Sequence, residues 1–145
     1  MIKIGLVCPY NMFRGGGVQE CVLALREGIE ARGHEAYIIT PQPNDYNGQS
    51  TEGMILIGSA RPFRAARTTA QISASVDLDK LNTMLNEEDF DVLHFHEPWV
   101  PMLSMQILQR SSAIHVATFH AAMSERRTSR TVERVITPYT KSLLK

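Results

Sequence analysis

The apolar positions at the start of the chain change from one periodicity to another. Ile2 to Cys8 is a short apolar run rich in β-branched side chains, which is typical of a buried strand. Beyond it, apolar residues recur at the spacing of one helix face, at Val18, Cys21, Val22, Leu25 and Ile29. Gly33 then ends this helix, and Ala36 to Thr40 reads as the next strand. We therefore expect a βαβ unit with a right-handed crossover.

The same alternation continues along the rest of the chain, after a polar loop at 41–53. Further strands are expected at Met54–Ile57, Asp91–Phe95 and Ile114–Thr118. Further helices are expected around Leu78–Leu85, from Pro101 onward and over Val132–Leu143. The apolar residues in 58–76 match neither the spacing of a helix face nor that of a strand. Alternation of this kind predicts one α/β domain over residues 1–145, with a Rossmann-like parallel sheet and helices on both faces.

Charge gives no global indication of a partner. Fifteen basic and fifteen acidic residues cancel, so no net field favours nucleic acid. Two local basic clusters remain, and they comprise Arg61, Arg64 and Arg67, and Arg126, Arg127, Arg130 and Arg134. Each is either solvated surface or a contact for an anionic acceptor or an anionic membrane surface.

The start of the chain reads as a strand rather than a secretion signal, and no apolar run reaches the ~18 residues that span a bilayer. Cys8 and Cys21 form neither a disulfide framework nor a metal-ligand spacing, so we interpret them as reduced, partly buried thiols. These features predict a cytoplasmic protein.

The loop between the first strand and the first helix carries three consecutive glycines, Gly15 to Gly17. Ligands of open parallel sheets bind beyond the carboxyl ends of strands, and a helix N-terminus there suits a phosphate. The loop matches neither the dinucleotide fingerprint nor the P-loop. A purely structural glycine turn is the alternative interpretation.

Polar residues also end two later strands. His94, His96 and Glu97 follow one another at the carboxyl end of the Asp91 strand, and Thr118 and His120 end the fifth strand. His94 and His96 should share one face of the sheet. The three histidines could resemble a metal site. Alternatively, they could form a polar strand end in which the histidines and the carboxylate hydrogen-bond to one another. The functional interpretation places His96 and Glu97 at the edge of the same cleft as the glycine loop.

Taken together, these segments resemble the N-terminal domain of family 4 glycosyltransferases, and among them the bacterial phosphatidyl-myo-inositol mannosyltransferases. The motifs are Val7-Cys-Pro-Tyr10, Gly16-Gly-Val-Gln19, Gly33-His-Glu35, Phe90-Asp-Val-Leu-His94, His96-Glu-Pro98, Leu103-Ser-Met105, Val116-Ala-Thr-Phe-His120 and Pro138-Tyr139. They follow the family's order from residue 2 to about 140, with the weakest match between 42 and 80.

The resemblance implies the N-terminal, acceptor-side half of a GT-B fold and a reaction that retains anomeric configuration without a metal or other cofactor. It implies that Gly16 and Gly17 approach the donor diphosphate and that His120 lies at the reaction centre. It further implies acceptor-binding residues, which we take to be Tyr10, Gln19, Thr118, Arg61 and Arg64. The donor would be GDP-mannose or a UDP-sugar, and the transferred hexose mannose or glucose.

The resemblance also sets expectations for partners. A phosphoinositide or other glycolipid acceptor would bring the protein to the inner face of the plasma membrane, although the family's basic helix corresponds here to 77–83, which is not basic. We expect a C-terminal nucleotide-sugar domain to be absent from the chain, the chain alone to be inactive, and its incomplete sheet to favour self-association. The alternatives are a non-catalytic sugar- or phosphate-binding module and an unrelated Rossmann-like metalloenzyme.

Overall fold

The computed structural model describes residues 1–65, 68–98, 100 and 102–120, with 63–65 and 68–75 described by their backbone alone. The strands are β1 (Lys3–Val7), β2 (Glu35–Gln42), β3 (Met54–Ala65), β4 (Thr68–Ser75), β5 (Val92–His96) and β6 (Ile114–Thr118). The helices are α1 (Gly17–Glu30), α2 (Leu78–Glu88) and α3 (Leu103–Arg110). The sheet order is β4-β3-β2-β1-β5-β6. The predicted α/β, Rossmann-like class is therefore confirmed.

The core lies on both faces of the sheet, because neighbouring residues of a strand point to opposite sides. Leu6 and Ile38 belong to one buried cluster, and Val7 and Ile39 to the other. α1 covers the first cluster through Val18, Val22, Leu25 and Ile29. α2 and α3 cover the second through Leu81, Met84, Leu103, Ile107 and Leu108. Helices thus lie on both faces, as the apolar pattern predicts.

The chain leaves α1 through Gly33, the glycine at which the sequence predicts the end of this helix. The helix ends at Glu30, and Gly33 adopts a positive φ of 80° before β2 begins. A left-handed conformation at this point favours glycine, because a side chain there would be strained. Gly33 therefore ends the helix by allowing the chain to reverse toward β2.

The five parallel strands predicted from the sequence are confirmed, but the sheet has a sixth, antiparallel strand at one edge that the sequence did not predict. β3 continues well beyond Ile57, and β4 returns antiparallel to it, with Arg61 opposite Ile72 and Arg64 opposite Thr69. Five strands are parallel, and the sixth is the second arm of a hairpin. The described part of this hairpin falls mostly within residues 58–76, the segment whose pattern matched neither a helix nor a strand.

The remaining element boundaries differ from the predictions by small shifts. α3 begins at Leu103 rather than at Pro101, which lies outside the described residues, as do the predicted last helix and the arginines after residue 121. None of the described helices is long and apolar enough to cross a membrane.

β1 lies between β2 and β5, so the chain reverses its direction of travel across the sheet at the β1–β5 pair. In open α/β sheets this switch point is where a crevice forms at the carboxyl ends of the strands. The glycine loop follows β1 and the His94–Pro98 segment ends β5, so the fold places both at this crevice.

Candidate functional site

One wall of the crevice is the start of α1. Gly16 is the N-cap and, having no side chain, makes no capping hydrogen bond to the first turn. The first N–H groups of a helix lack intrahelical partners, and the helix dipole makes this end partly positive. The structure therefore presents N–H donors at the position where the sequence predicts phosphate binding.

The glycine loop is held by two residues that sequence reasoning did not single out as a pair. The Asn11 side chain is buried, and its Oδ1 accepts a hydrogen bond from Phe13 N at 2.9 Å. Gln19 Nε2 donates to the Asn11 carbonyl oxygen at 3.2 Å. Gln19 therefore ties α1 to the loop, a structural role alongside its predicted contact with an acceptor. Asn11 carried no periodic signal that could have identified it.

The two glycines predicted to face a diphosphate differ in their surroundings. A Cβ on Gly16 would lie 2.5 Å from Gln19 Oε1, whereas a Cβ on Gly17 would meet no atom of the described residues within 4 Å. A side chain at Gly16 would therefore displace the Gln19 amide, the far end of a flexible side chain. Gly17 faces open space among the described residues, so we attribute any requirement for glycine there to a ligand.

The second wall is a row of histidine rings at the ends of β5 and β6. The His94 and His96 rings stack with centroids 4.6 Å apart, and the His96 and His120 rings stack at 5.1 Å. His96 Nδ1 and His120 Nε2 share a hydrogen bond of 2.8 Å, and His94 Nε2 and Thr118 Oγ1 share another of 2.8 Å. The expectation that His94 and His96 occupy one face is confirmed.

Glu97 connects the two strand ends. It is 1% exposed and adopts a positive φ of 53°, which is uncommon for a residue other than glycine. Its N–H donates to the Thr118 carbonyl at 2.9 Å, and its carboxylate Oε1 accepts from the His120 N–H. A buried carboxylate on a strained backbone is thus used to fix the position of His120.

Burial favours the neutral forms of His94 and His96. Burial, followed by the charges that His94 and His120 would carry, lowers the pKa of His96 to about 4. Burial and His120 also lower the pKa of His94. A buried imidazolium loses hydration, so the neutral form is favoured. The centre of the row is therefore uncharged at neutral pH.

Tyr10 lies at the same crevice, half-buried. Its carbonyl accepts a hydrogen bond from Thr40 Oγ1 at 2.7 Å, which holds the loop to the end of β2. Burial, with contributions from Glu97 and Cys8, raises the pKa of the Tyr10 hydroxyl to about 12. The phenol therefore stays protonated and can donate a hydrogen bond to a ligand.

The predicted basic residues lie elsewhere. β3 pairs with β2 only as far as Gln42 opposite Ser59, so the hairpin carrying Arg61 and Arg64 projects past the carboxyl end of β2. Arg61 is exposed, and the Arg64 side chain lies outside what the structure describes. The structure brings together Tyr10, Gln19, Thr118, His96, Glu97 and His120, but it places these arginines on a separate projection.

The two cysteines differ from the prediction of two partly buried thiols. Cys8 is fully buried, and burial raises the pKa of its thiol to about 12. Cys21 is exposed on α1, and one ligating atom each of Cys21, His96 and His120 lies within 4.8 Å of the others. This group, found among the described residues, replaces the His94–His96–His120 trio considered from the sequence. Cys21 was missed because its spacing places it on the apolar helix face.

Comparison with known proteins agrees with these motifs. The family model described as Glycosyltransferase Family 4 matches residues 15–145. A phosphatidyl-myo-inositol mannosyltransferase from Mycobacterium leprae is 33% identical over 144 residues, which covers 99% of this chain and 38% of the relative. The protein of that name from Mycolicibacterium smegmatis is 33% identical, covering 99% and 37%. That from Propionibacterium freudenreichii is 33% identical, covering 93% and 37%.

Proposed function

Because the chain belongs to glycosyltransferase family 4, we propose that the whole protein transfers a hexose from a nucleotide-sugar to a hydroxyl acceptor, with retention of anomeric configuration. Mannose is favoured over glucose, since the relatives above are named mannosyltransferases. The chain spans about 38% of the length of the first of these relatives, so the activity is proposed for the whole protein.

One observation carries the proposal. An uncapped helix N-terminus and a histidine held by a buried carboxylate meet at the switch point of a single sheet. A nucleotide-sugar needs a partly positive site for its diphosphate and a positioned polar group beside the sugar carbon that reacts. The crevice supplies both.

The donor diphosphate is assigned to the start of α1. Gly17 leaves space for an approaching oxygen, and the first-turn N–H groups point along the helix axis toward it. As the bond from the sugar to the diphosphate breaks, negative charge grows on the leaving oxygen. N–H donors that are fixed before the reaction stabilise this charge without reorganising. No metal or other cofactor is required for this role.

His120 is assigned to the transferred sugar. Its backbone is fixed by Glu97 and its ring by His96, so its position is set before a substrate arrives. An oxocarbenium-like sugar carries positive charge, and an uncharged His96 behind the ring adds no repulsion. We therefore assign His120 a positioning and electrostatic role and do not make it a covalent nucleophile.

The acceptor is assigned to the Tyr10 side of the crevice. The protonated Tyr10 hydroxyl, the Gln19 amide and the Thr118 hydroxyl are the groups that would bind and orient an alcohol there. The relatives' name includes phosphatidyl-myo-inositol, so a phosphoinositide is the acceptor we favour, bound at the surface of a membrane. The exposed Arg61 on the projecting hairpin, with Arg64, would contact its phosphate.

A second domain is proposed to close the crevice and hold the nucleotide. Transfer needs donor and acceptor fixed together, and one wall alone provides little of that orientation. We therefore expect residues 1–145 alone to show no transfer. Turnover by the isolated chain at a rate comparable to that of the complete protein would contradict this division of labour.

The proposal is tested with the complete protein, a panel of GDP- and UDP-sugars, and two acceptors. The acceptors are phosphatidylinositol in vesicles and a soluble inositol. We expect GDP-mannose consumption that depends on acceptor, with the anomeric configuration of the product, read by NMR, the same as in the donor. An inverted product, or no transfer from any of these donors, would refute the proposed reaction.

A further inference from the structure

Three side chains with metal-ligating atoms meet beside the first turns of α1. One donor atom each of Cys21, His96 and His120 lies within 4.8 Å of the other two. The residues come from separate elements: Cys21 from α1, His96 from the end of β5, and His120 from the segment after β6. The fold therefore brings one thiol and two imidazoles, a set that zinc commonly takes, to a single point.

The spacing is close to what a shared ion requires. His96 Nδ1 and His120 Nε2 are 2.8 Å apart. Tetrahedral coordination by Zn²⁺ places two imidazole nitrogens about 3.3 Å apart and a thiolate sulfur about 3.6 Å from each. The distance between the two nitrogens would have to open by about 0.5 Å, and a sulfur–nitrogen distance, at most 4.8 Å, would have to close by no more than about 1.2 Å. Cys21 is exposed, so its side chain has room to move and an ion has a route of entry.

His96 would coordinate through Nδ1, the nitrogen that shares a hydrogen bond of 2.8 Å with His120 Nε2. Coordination there requires the tautomer that carries the ring proton on Nε2. His96 is 1% exposed and its Nε2 has no hydrogen-bond partner among the described residues, so no described group opposes this tautomer.

We propose that Cys21, His96 and His120 bind one thiophilic divalent cation, best matched by Zn²⁺, through one thiolate and two imidazole nitrogens. Thiolate and imidazole favour Zn²⁺, whereas Mg²⁺ and Mn²⁺ prefer oxygen ligands. Three protein ligands leave a fourth position open to water or another small ligand. The site stands independently of the proposed function. Since His120 belongs to both, bound Zn²⁺ and the transferred sugar would exclude each other.

The test uses Co²⁺ as a spectroscopic probe on the purified 145-residue chain. One equivalent should produce a thiolate-to-cobalt charge-transfer band, and Zn²⁺ should displace it. Cys21→Ser should abolish the band. His96→Gln and His120→Gln should each weaken Zn²⁺ binding at least about tenfold, since even partners behind a ligand contribute that much. His115→Gln, a histidine outside the group, should bind as the original chain does.

Cys21→Ser is the decisive variant, because an exposed position leaves the fold intact while the buried His96 is riskier to change. A charge-transfer band that survives in Cys21→Ser would overturn the site, as would the same Zn²⁺ affinity in all three ligand variants. Displacement of Co²⁺ by equimolar Mg²⁺ would contradict the proposed preference of the site for thiophilic cations. Absence of any Co²⁺ or Zn²⁺ binding would overturn the proposal altogether.

Discussion

At the scale of single residues, the position of His120 depends on groups that do not themselves meet a substrate. Glu97 accepts from its backbone N–H, and His96 holds its ring. Glu97 is buried with a left-handed backbone, so the chain accepts local strain to place one carboxylate. The backbone strain at Glu97 is consistent with a functional role for this position in addition to a stabilising one.

The two thiols give a direct check on the structure. Cys8 is 0% exposed with a pKa raised to about 12, whereas Cys21 is exposed. Only the thiolate attacks a disulfide reagent. We expect one thiol per chain to react rapidly with Ellman's reagent at neutral pH and the second only after unfolding. Cys21→Ser should remove the rapid phase. Two rapid thiols would contradict the buried position of Cys8.

Substitution of Gly17 tests whether glycine is required there by a ligand or by the fold. The new Cβ of Gly17→Ala meets no atom of the described residues within 4 Å, so the free energy of unfolding should stay the same or rise by up to about 1 kcal/mol. Donor affinity of the complete protein should nevertheless fall at least about tenfold, because the methyl group occupies space assigned to the diphosphate.

The matched control is Gly28→Ala, later in α1, where a Cβ would come no closer than 3.4 Å to Arg32. It should have a similar effect on unfolding and none on donor affinity. Unfolding is measured by urea titration and affinity by calorimetry. Unchanged donor affinity in Gly17→Ala would contradict the assignment of the donor diphosphate to the start of α1.

The residue-scale features differ in how far the sequence could predict them. His94 and His96 share a face because strands have a period of two, and this needs no tertiary information. The proximity of Cys21 to His96 and His120 depends on where α1 lies relative to the ends of β5 and β6. Its spacing alone made Cys21 look like an apolar core position. Asn11 and the backbone of Glu97 gave no periodic signal at all.

At the scale of elements, β5 and β6 carry their histidines in environments that oppose protonation. Burial lowers the pKa of His115, whose ring packs edge-on against Phe95 at 5.3 Å, below its ordinary value of 6.5. A histidine with a folded-state pKa below its unfolded value stabilises the fold fully above pH 6.5. This contribution is lost as the pH falls toward the folded-state pKa, because the unfolded chain binds the proton more readily.

We therefore expect the free energy of unfolding to fall between pH 7 and pH 5. His115→Gln should reduce the slope of that loss, whatever its effect on stability at pH 7. Urea unfolding at several pH values, with a chelator present throughout, measures the slope. An equal slope in the variant would show that His115 is not held neutral by burial.

The hairpin of β3 and β4 shows where element prediction fails. Periodicity identifies strands and helices that have one continuous buried face, and the central strands satisfied this condition. The hairpin lies at the sheet edge and projects past β2, beyond the strands whose continuous apolar runs made them recognisable. The arginine spacing that stood out in the sequence therefore carried no information about its secondary structure.

At the scale of the whole molecule, the alternation of the apolar pattern predicts five parallel strands, and their order in the structure places the crevice at β1 and β5. The sequence could predict that the glycine loop, His96 and His120 share this crevice, since all follow strand ends. It could not predict that zinc ligands and the proposed sugar position overlap. That overlap means that transfer assays need a chelator.

The central claim is that His120 serves the transferred sugar rather than the fold. The most direct measurement is the rate of hexose transfer by the complete protein with and without His120→Ala, in the presence of a chelator and with circular dichroism as a check on folding. We predict that kcat falls by about 100-fold or more while donor affinity changes little, as expected for a group that stabilises developing charge. His34→Ala, at the far end of α1, is the control. A folded His120→Ala protein that transfers hexose at the original rate would contradict the claim.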